Sequence, residues 1–359
     1  MIAALSGGVD SAVATARLLE AGHDVVGVHL DLYRTDRADI ANLRGCASLT
    51  HTDDAKAVAD LLGINFEVWD FTDDFVELVV DDCFAEYKAG RTPNPCLRCN
   101  EKIKFAKVIE RGIELGFDAM ATGHYARLVR NGEVELHRAV DHGKDQSYVL
   151  AVLDQHHLSH CLFPLGDSLK TDVRAEAAAL GLAVADKPDS TDICFIPNGD
   201  TAGFLARELG TMPGEIVDTA GDVVGQHQGY HQFTIGQRRG LRLGVPAVDG
   251  KPRFVLGIEP ATNRVIVGVA DDLLVNHLRG IRPTWTQSPA TEAPTRGLAQ
   301  VRAHGAALPC TYALVDGELI VTLDEPIKGV APGQSVVLYD ETRVVGGAII
   351  TLARLELGS

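Results

Sequence analysis

Near the N-terminus, Ser6-Gly7-Gly8-Val9-Asp10-Ser11 has the composition of an anion cradle. It follows the apolar run Ile2-Ala3-Ala4-Leu5 and precedes a stretch that sets Ala12, Ala16 and Leu19 on one helical face. A strand, a glycine turn and a helix start bring backbone N–H groups and the positive helix end to one point, which favours phosphate. No Gly-Lys-Ser/Thr follows, so this is not the Walker loop, and it is not the dinucleotide Gly-x-Gly-x-x-Gly either. A second set of residues offers sulfur chemistry. In Thr92-Pro93-Asn94-Pro95-Cys96-Leu97-Arg98-Cys99-Asn100, two prolines fix an irregular loop before a helix. Cys99 then lies near a helix start, where the dipole favours thiolate. The competing reading of Cys96 and Cys99 is half a zinc site, although no second pair at zinc-finger spacing completes it. Cys194, in Asp189-Ser190-Thr191-Asp192-Ile193-Cys194-Phe195-Ile196-Pro197, taken alone reads as a buried, inert thiol.

Two polar segments accompany these. Ala121-Thr122-Gly123-His124-Tyr125-Ala126-Arg127 puts a glycine at a strand end, which permits close approach of a nucleotide. His124 either reaches substrate or is a satisfied structural histidine. Lys144-Asp145-Gln146-Ser147-Tyr148 is either a simple N-cap or a set of donors to phosphates or a base.

Strand-like and helix-like segments alternate through the first half. Strands are expected at Asp24 to Leu30, Asn65 to Asp70 and Ala119 to Ala121; helices at Asp54 to Leu62, Asp73 to Tyr87, Lys102 to Leu115 and Lys170 to Leu180. Such alternation implies a parallel sheet with helices on both faces, its ligands at the carboxyl ends of the strands. Asn131-Gly132 marks a hairpin. After about Pro197 the chain turns rich in Gly, Val and turns. From about Asp271 short β-prone runs suggest a small closed or nearly closed barrel. The expected domains are 1–200, a catalytic α/β domain; 201–270, a β-rich middle domain; and 271–359, a C-terminal β-barrel.

The chain has 359 residues and a formal net charge of −16. That balance argues mildly against a nucleic-acid partner, but local basic clusters matter more than the total. Lys102-Ile103-Lys104 with Lys107, Arg127 with Arg130, and Gln237-Arg238-Arg239-Gly240-Leu241-Arg242 are such clusters. No apolar run approaches the roughly 20 residues of a membrane span, and no signal peptide precedes the first strand, so a cytoplasmic setting is expected. Seven scattered cysteines point to reduced thiols and not to a disulfide scaffold.

The cradle resembles the pyrophosphate loop of the ATP pyrophosphatases. Together with Thr92–Asn100, Ala121–Arg127, Lys144–Tyr148, Asp192–Pro197, His231–Gly240 and Pro332–Ser335, it resembles the tRNA-specific 2-thiouridylase family over nearly the whole chain. The resemblance implies adenylation of the C2 oxygen of a wobble uridine with ATP and magnesium, followed by attack of a cysteine persulfide. A persulfide sulfur donor protein and tRNA are the implied partners, with no membrane. Carried over residue by residue, Cys194 matches the persulfide-bearing cysteine and Cys99 its partner, able to form a disulfide with it. Ala4, Leu5, Ser6, Gly7, Gly8, Val9, Asp10, Ser11, Leu30 and Gly123 would hold ATP, with Asp10 assisting magnesium; no resident metal site is implied. Asn94, Pro95 and Cys96 would face the target base. His124, Lys144, Asp145, Gln146, Arg302 and Gln334 fall where the family contacts tRNA. Cys96 stands where many members carry an acidic residue, and Ala303 where many carry a larger one. The rivals are another adenylating enzyme with this loop, such as a tRNA-lysidine synthetase or an amidotransferase-type synthetase, a non-catalytic nucleotide- or RNA-binding module, and a zinc-bound structural protein.

Overall fold

The computed structural model describes residues 1–32, 49–189, 193–196, 199–244 and 249–356. Cys46, Ser190, Thr191, Asp192 and Pro197 lie outside the described residues. The first half contains β1 (Ile2–Ala4), β2 (Val26–Asp31), β3 (Asn65–Asp70) and β4 (Met120–Ala121), then β5 (Ala126–Asn131), β6 (Glu133–Arg138) and β7 (Cys161–Leu162). Five of them form a parallel sheet in the order β3-β2-β1-β4-β7. The strand order reverses at β1, so the crevice beyond its carboxyl end is where such a sheet accepts ligands. The Ser6–Ser11 turn leaves β1 at that point and enters the helix Val9–Glu20.

Both faces of the sheet are covered, as a parallel sheet requires. On one face Val9, Ala12 and Val13 pack with Val58 and Ala59 of the helix Leu49–Leu62 and with Val173 and Ala177 of the helix Lys170–Ala179. On the other, Val28 and Trp69 join Phe75, Ile103, Phe105 and Val108. These come from two long helical rods that pass through π-helical turns, Thr72–Phe75 to Asp81–Lys88 and Pro95–Cys99 to Val108–Glu114. The wider π turns break the 3.6-residue rhythm, which explains why periodicity places the second helix start at Lys102 when the rod begins at Pro95.

The expected hairpin forms at Asn131-Gly132, with Gly132 at φ +93°. It does not stay with the parallel sheet. β6 pairs with β17 (Arg343–Arg354), so the hairpin extends the sheet of the C-terminal barrel. The middle domain carries β8 (Gly214–Val217), β9 (Val223–His227), β10 (Phe254–Glu259) and β11 (Arg264–Gly268) in the order β10-β11-β8-β9. It is preceded by the helix Thr201–Leu209, in a stretch that the sequence reads only as turns. Gly203 lowers its helix propensity by about 1 kcal/mol, yet Asp200 caps it and Phe204 stacks on Phe84 at 5.4 Å.

The last six strands are β12 (Leu274–Trp285), β13 (Thr295–Gln300), β14 (Leu308–Val315), β15 (Glu318–Lys328), β16 (Ser335–Asp340) and β17. β12 pairs with both β15 and β17, which closes the barrel around Leu278, Val321, Val336, Leu338 and Ile350. β12 and β17 run 12 residues each. Register shifts in their pairing, with Arg282 at φ +52° beside one of them, interrupt the alternation.

Candidate active site

The cradle is built mostly from backbone. Gly8 is the N-cap of the helix Val9–Glu20. Gly7 has φ +72°, and a Cβ there would lie 2.4 Å from the carbonyl oxygen of His51. Gly123, two residues beyond β4, is as confined: a Cβ would lie 2.7 Å from the Asp10 carbonyl carbon and the Ser11 nitrogen. Both glycines therefore let neighbouring backbone pack closer than a side chain would allow. Ser11 Oγ accepts from the Ser6 N–H at 3.2 Å and donates to the Gly8 carbonyl at 3.0 Å, which fixes the turn. Ala4, Leu5 and Val9 form the floor, with the Leu5 N–H donating to Val28 O at 2.8 Å, and Leu30 lies near the end of β2.

A network of charges surrounds Asp10. Lys170 Nζ donates to both Asp10 oxygens at 2.7 Å, and Tyr125 donates its hydroxyl to Asp10 at 2.8 Å. Lys170 also pairs with Asp189 at 2.9 Å, where Lys144 and Arg174 each arrive at 2.7 Å. Burial works to raise the Asp189 pKa, but the lysine hydrogen bonds win and hold it at about 2. Lys187 donates to the Gly7 carbonyl at 2.9 Å and pairs with Asp54 at 2.6 Å. Sequence reading missed Lys170, Tyr125, Asp189 and Lys187 as site residues. One signal was available: Lys170 opens a helix, and a cation at a helix N-terminus opposes the dipole.

The thiols divide into two groups. Burial pushes Cys83 and Cys310 up to about 12 and raises Cys161 further, so these three are inert. Cys96 is exposed, Cys99 buried and Cys194 half-buried. Cys99 and Cys194 pack against one hydrophobic cluster, in which Phe195 lies edge-on to Phe75 at 5.8 Å. Asn94 Oδ1 accepts from the Cys96 and Leu97 N–H groups at 3.1 and 3.4 Å, and Pro95 takes the first helical position. Cys99 thus ends the first short helical segment, deeper than its sequence spacing implies, and the dipole acts most on the turn that Cys96 occupies. The rod is anchored by Arg98, which pairs with Asp82 and Glu101 at 2.8 Å each. The loop before it is held by the barrel: Gln334 Nε2 donates to the Thr92 and Pro93 carbonyls at 2.7 and 3.3 Å, and the Thr92 N–H donates to Pro332 O at 2.8 Å.

Residues 1–198 match the tRNA methyl transferase HUP domain family, 202–269 the tRNA methyl transferase PRC-barrel domain and 275–350 the aminomethyltransferase beta-barrel domain. The chain is 62% identical over 351 residues to the tRNA-specific 2-thiouridylase MnmA of Cutibacterium acnes, covering 98% of this chain and 96% of that protein. The chain belongs to the tRNA-specific 2-thiouridylase family. It is 59% identical over 355 residues to the MnmA of Acidothermus cellulolyticus, covering 99% of this chain and 98% of that protein, and 58% identical to the MnmA of Streptomyces avermitilis, covering 98% and 94%.

Several residues that the 2-thiouridylase resemblance assigned to tRNA have internal partners. Asp145 accepts from Arg138 at 3.0 Å, from the Ala139 and Ser147 N–H groups at 3.0 and 3.1 Å, and from the Ser147 hydroxyl at 2.9 Å. Gln146 Oε1 accepts from the Tyr125 N–H at 2.9 Å, bracing the Gly123 turn. Arg302 donates to the carbonyls of Lys328 and Gly329. His124 is bonded through Nδ1 to Thr122 Oγ1 at 2.7 Å, with its ring 5.7 Å from Phe105 and 6.1 Å from Phe163. The residue is half-buried as a whole, and desolvation of its enclosed ring lowers its pKa to about 3, with repulsion from Lys104 adding to it. Below the unfolded-state value of about 6.5 the unfolded chain binds a proton that the folded chain refuses. Stability should therefore fall as pH drops from about 6.5 towards 3, and melting of His124→Phe followed against pH should show a weaker acid dependence than wild type. An unchanged pH profile would assign that acid sensitivity to other groups.

Proposed function

We propose that this chain replaces the C2 oxygen of a tRNA wobble uridine by sulfur at the expense of ATP, yielding 2-thiouridine, AMP and pyrophosphate. The full-length relatives carry the reading: they are 2-thiouridylases, and Cys99 and Cys194, the two thiols that the resemblance singles out, both touch the large core cluster that also holds Cys83 and Cys161. The domain descriptions speak of methyl transfer, but the full-length relatives are thiouridylases, and the paired thiols favour the latter.

The cradle residues Ser6 to Ser11, with Gly123 and Leu30, bind ATP, and their N–H groups hold the phosphates. The uracil C2 oxygen attacks the α-phosphorus and pyrophosphate leaves. An amide-like oxygen is a poor leaving group; as AMP it is a good one. A persulfide on Cys194, loaded by a sulfur donor protein, attacks C2 through its terminal sulfur, and AMP departs with the original oxygen. Cys99 thiolate then attacks Cys194 Sγ, cleaving the S–S bond so that its electron pair remains on the base as the thiocarbonyl. The Cys99–Cys194 disulfide left behind is reduced by an external dithiol before the next turnover. Asn94, Pro95 and Cys96 face the base, which must leave the anticodon stack to enter. Magnesium, when bound, would neutralise phosphate charge; Asp10 is the cradle carboxylate that would reach it, giving up part of its pairing with Lys170 and Tyr125.

We assign adenylation and sulfur transfer to 1–200, and the RNA grip to 201–270 and 271–359. We place the enzyme in the cytoplasm; no helix among the described residues is long and apolar enough to cross a membrane. Arg238 and Arg239 are exposed at the turn after Gly236, whose neighbour Gly329 lies against Arg302. The double change Arg238→Ala, Arg239→Ala is expected to raise the tRNA dissociation constant and lower the slope of log affinity against log salt by about two. An unchanged slope would place those arginines off the RNA path.

The test is a reconstituted reaction with unmodified tRNA, ATP and a persulfide-charged donor. The expected result is 2-thiouridine and AMP in equal amounts. Pyrophosphate release without thiolated nucleoside would return the chain to the other adenylating enzymes.

A further inference from the structure

A cradle of backbone N–H groups binds phosphate only as well as its peptides are aimed, and one lysine grips a cradle peptide from behind. Lys187 Nζ donates to the Gly7 carbonyl at 2.9 Å and pairs with Asp54 of the helix Leu49–Leu62 at 2.6 Å. A trans peptide sets its carbonyl and its N–H on opposite edges, so the Gly8 N–H points away from Lys187. No acceptor among the described residues takes that N–H. Gly8 is the N-cap of the helix Val9–Glu20, and a Cβ on it would meet Ser6 Oγ at 3.5 Å, an ordinary contact, where one on Gly7 or Gly123 would collide with backbone. Lys187 is itself held. Arg174 donates to the carbonyls of Ala185 and Lys187 at 2.7 and 3.0 Å and to Asp189 at 2.7 Å, so the ammonium rises from a braced turn. His51 approaches the preceding carbonyl of the loop, Ser6, at 3.3 Å, but burial lowers its pKa and the charge of Lys187 lowers it further. The imidazole is therefore neutral, and the cation behind the Gly7 carbonyl is Lys187.

We infer that Lys187 is a positioning residue that holds and polarises the Gly7–Gly8 peptide so that the Gly8 N–H meets the polyphosphate. The inference rests on reading the cradle as an ATP site. A cation at a peptide oxygen draws electron density from the nitrogen and makes the N–H a stronger donor; hydrogen bonds in a row reinforce one another in this way. The bond that this N–H then gives to phosphate is charge-assisted, about twice as strong as a neutral one. Gly7, at φ +72°, has no Cβ to resist rotation, so without the lysine the peptide is free to turn its oxygen towards the crevice, where it would repel phosphate. Lys187 keeps its proton throughout and forms no covalent bond. Asp54 anchors the ammonium but also takes part of its field. A lysine that merely tied the helix Leu49–Leu62 to the loop would depend on Asp54; one that acts on the Gly7 carbonyl would not.

The experiment measures binding of α,β-methylene-ATP with magnesium by calorimetry, and follows the Gly8 amide by NMR in protein carrying isotope-labelled glycine. In wild type the analogue should move the Gly8 amide proton downfield, the mark of a new hydrogen bond to an anion. Lys187→Met should bind the analogue about tenfold more weakly. At saturation its Gly8 signal should stay where it was, and tRNA-dependent pyrophosphate release should be about a hundredfold slower. Lys187→Arg should recover most of both. Asp54→Asn should bind the analogue at least as tightly as wild type with the Gly8 response intact, and it decides the matter if Lys187→Met does not fold. Asp54→Asn that loses binding and response would reduce the lysine to a strut and overturn the inference, as would a wild-type Gly8 shift in saturated Lys187→Met. Wild type that binds the analogue with Gly8 unmoved overturns this role alone. Wild type that fails to bind the analogue at all overturns the ATP reading first, and the role of Lys187 with it.

Discussion

Cys194→Ser is expected to abolish 2-thiouridine formation, a loss of roughly three orders of magnitude or more, because it removes the atom that carries the sulfur. Adenylation should survive, since the cradle and its charge network contain no part of Cys194. The measurement is a paired assay on one sample, thiolated nucleoside by mass spectrometry and pyrophosphate by coupled enzymes. Cys99→Ser should give the same split, because the persulfide adduct forms but the S–S bond is not cut. Cys96→Ser should retain most activity, since Cys96 sits outside the shared cluster and is exposed. Full loss in Cys96→Ser with full activity in Cys99→Ser would exchange the roles of the two thiols.

Gly123→Ala is the second large effect. A Cβ there would lie 2.7 Å from two backbone atoms of the first helical turn, Asp10 C and Ser11 N. Backbone held by the helix and by the Ser11–Gly8 bond cannot swing aside as a flexible side chain would. The first turn must shift, at a cost of about 1–3 kcal/mol in stability. Displacing the N–H groups by even part of an ångström removes their aim at the phosphates, so tRNA-dependent pyrophosphate release should drop by about a hundredfold. Gly244→Ala is the control, since a Cβ there meets nothing within 4 Å. Equal pyrophosphate release from both variants would mean that phosphate does not bind where the glycines converge.

The cradle was legible in the sequence because its chemistry is local: a strand end, two glycines and a helix start are consecutive residues. So was the β-barrel, from its short β-prone runs and turns. The environment of the thiols was less so. Cys194 between apolar neighbours reads as inert, and its packing on an apolar cluster, with Phe195 against Phe75, keeps that local reading; its proposed role comes from the motif and the relatives. Lys170 and Lys187 left little local signal because their partners lie far along the chain; Lys170 meets a carboxylate 160 residues away. The hairpin at Asn131-Gly132 was found, but its docking on the barrel through Arg343 and His137 depends on tertiary pairing that no local signal encodes. Asp145 and Gln146 show the converse. Their positions in the motif are clear, while their hydrogen bonds reveal that both brace the protein itself.

The central claim is that Cys99 and Cys194 act on the same sulfur atom. A single turnover of persulfide-loaded protein with tRNA and ATP, without added reductant and quenched in acid, tests it by peptide mass spectrometry. The expected product is a disulfide-linked pair of peptides carrying Cys99 and Cys194, in amounts equal to the 2-thiouridine formed. Thiolated tRNA accompanied by no such linked pair would contradict the account.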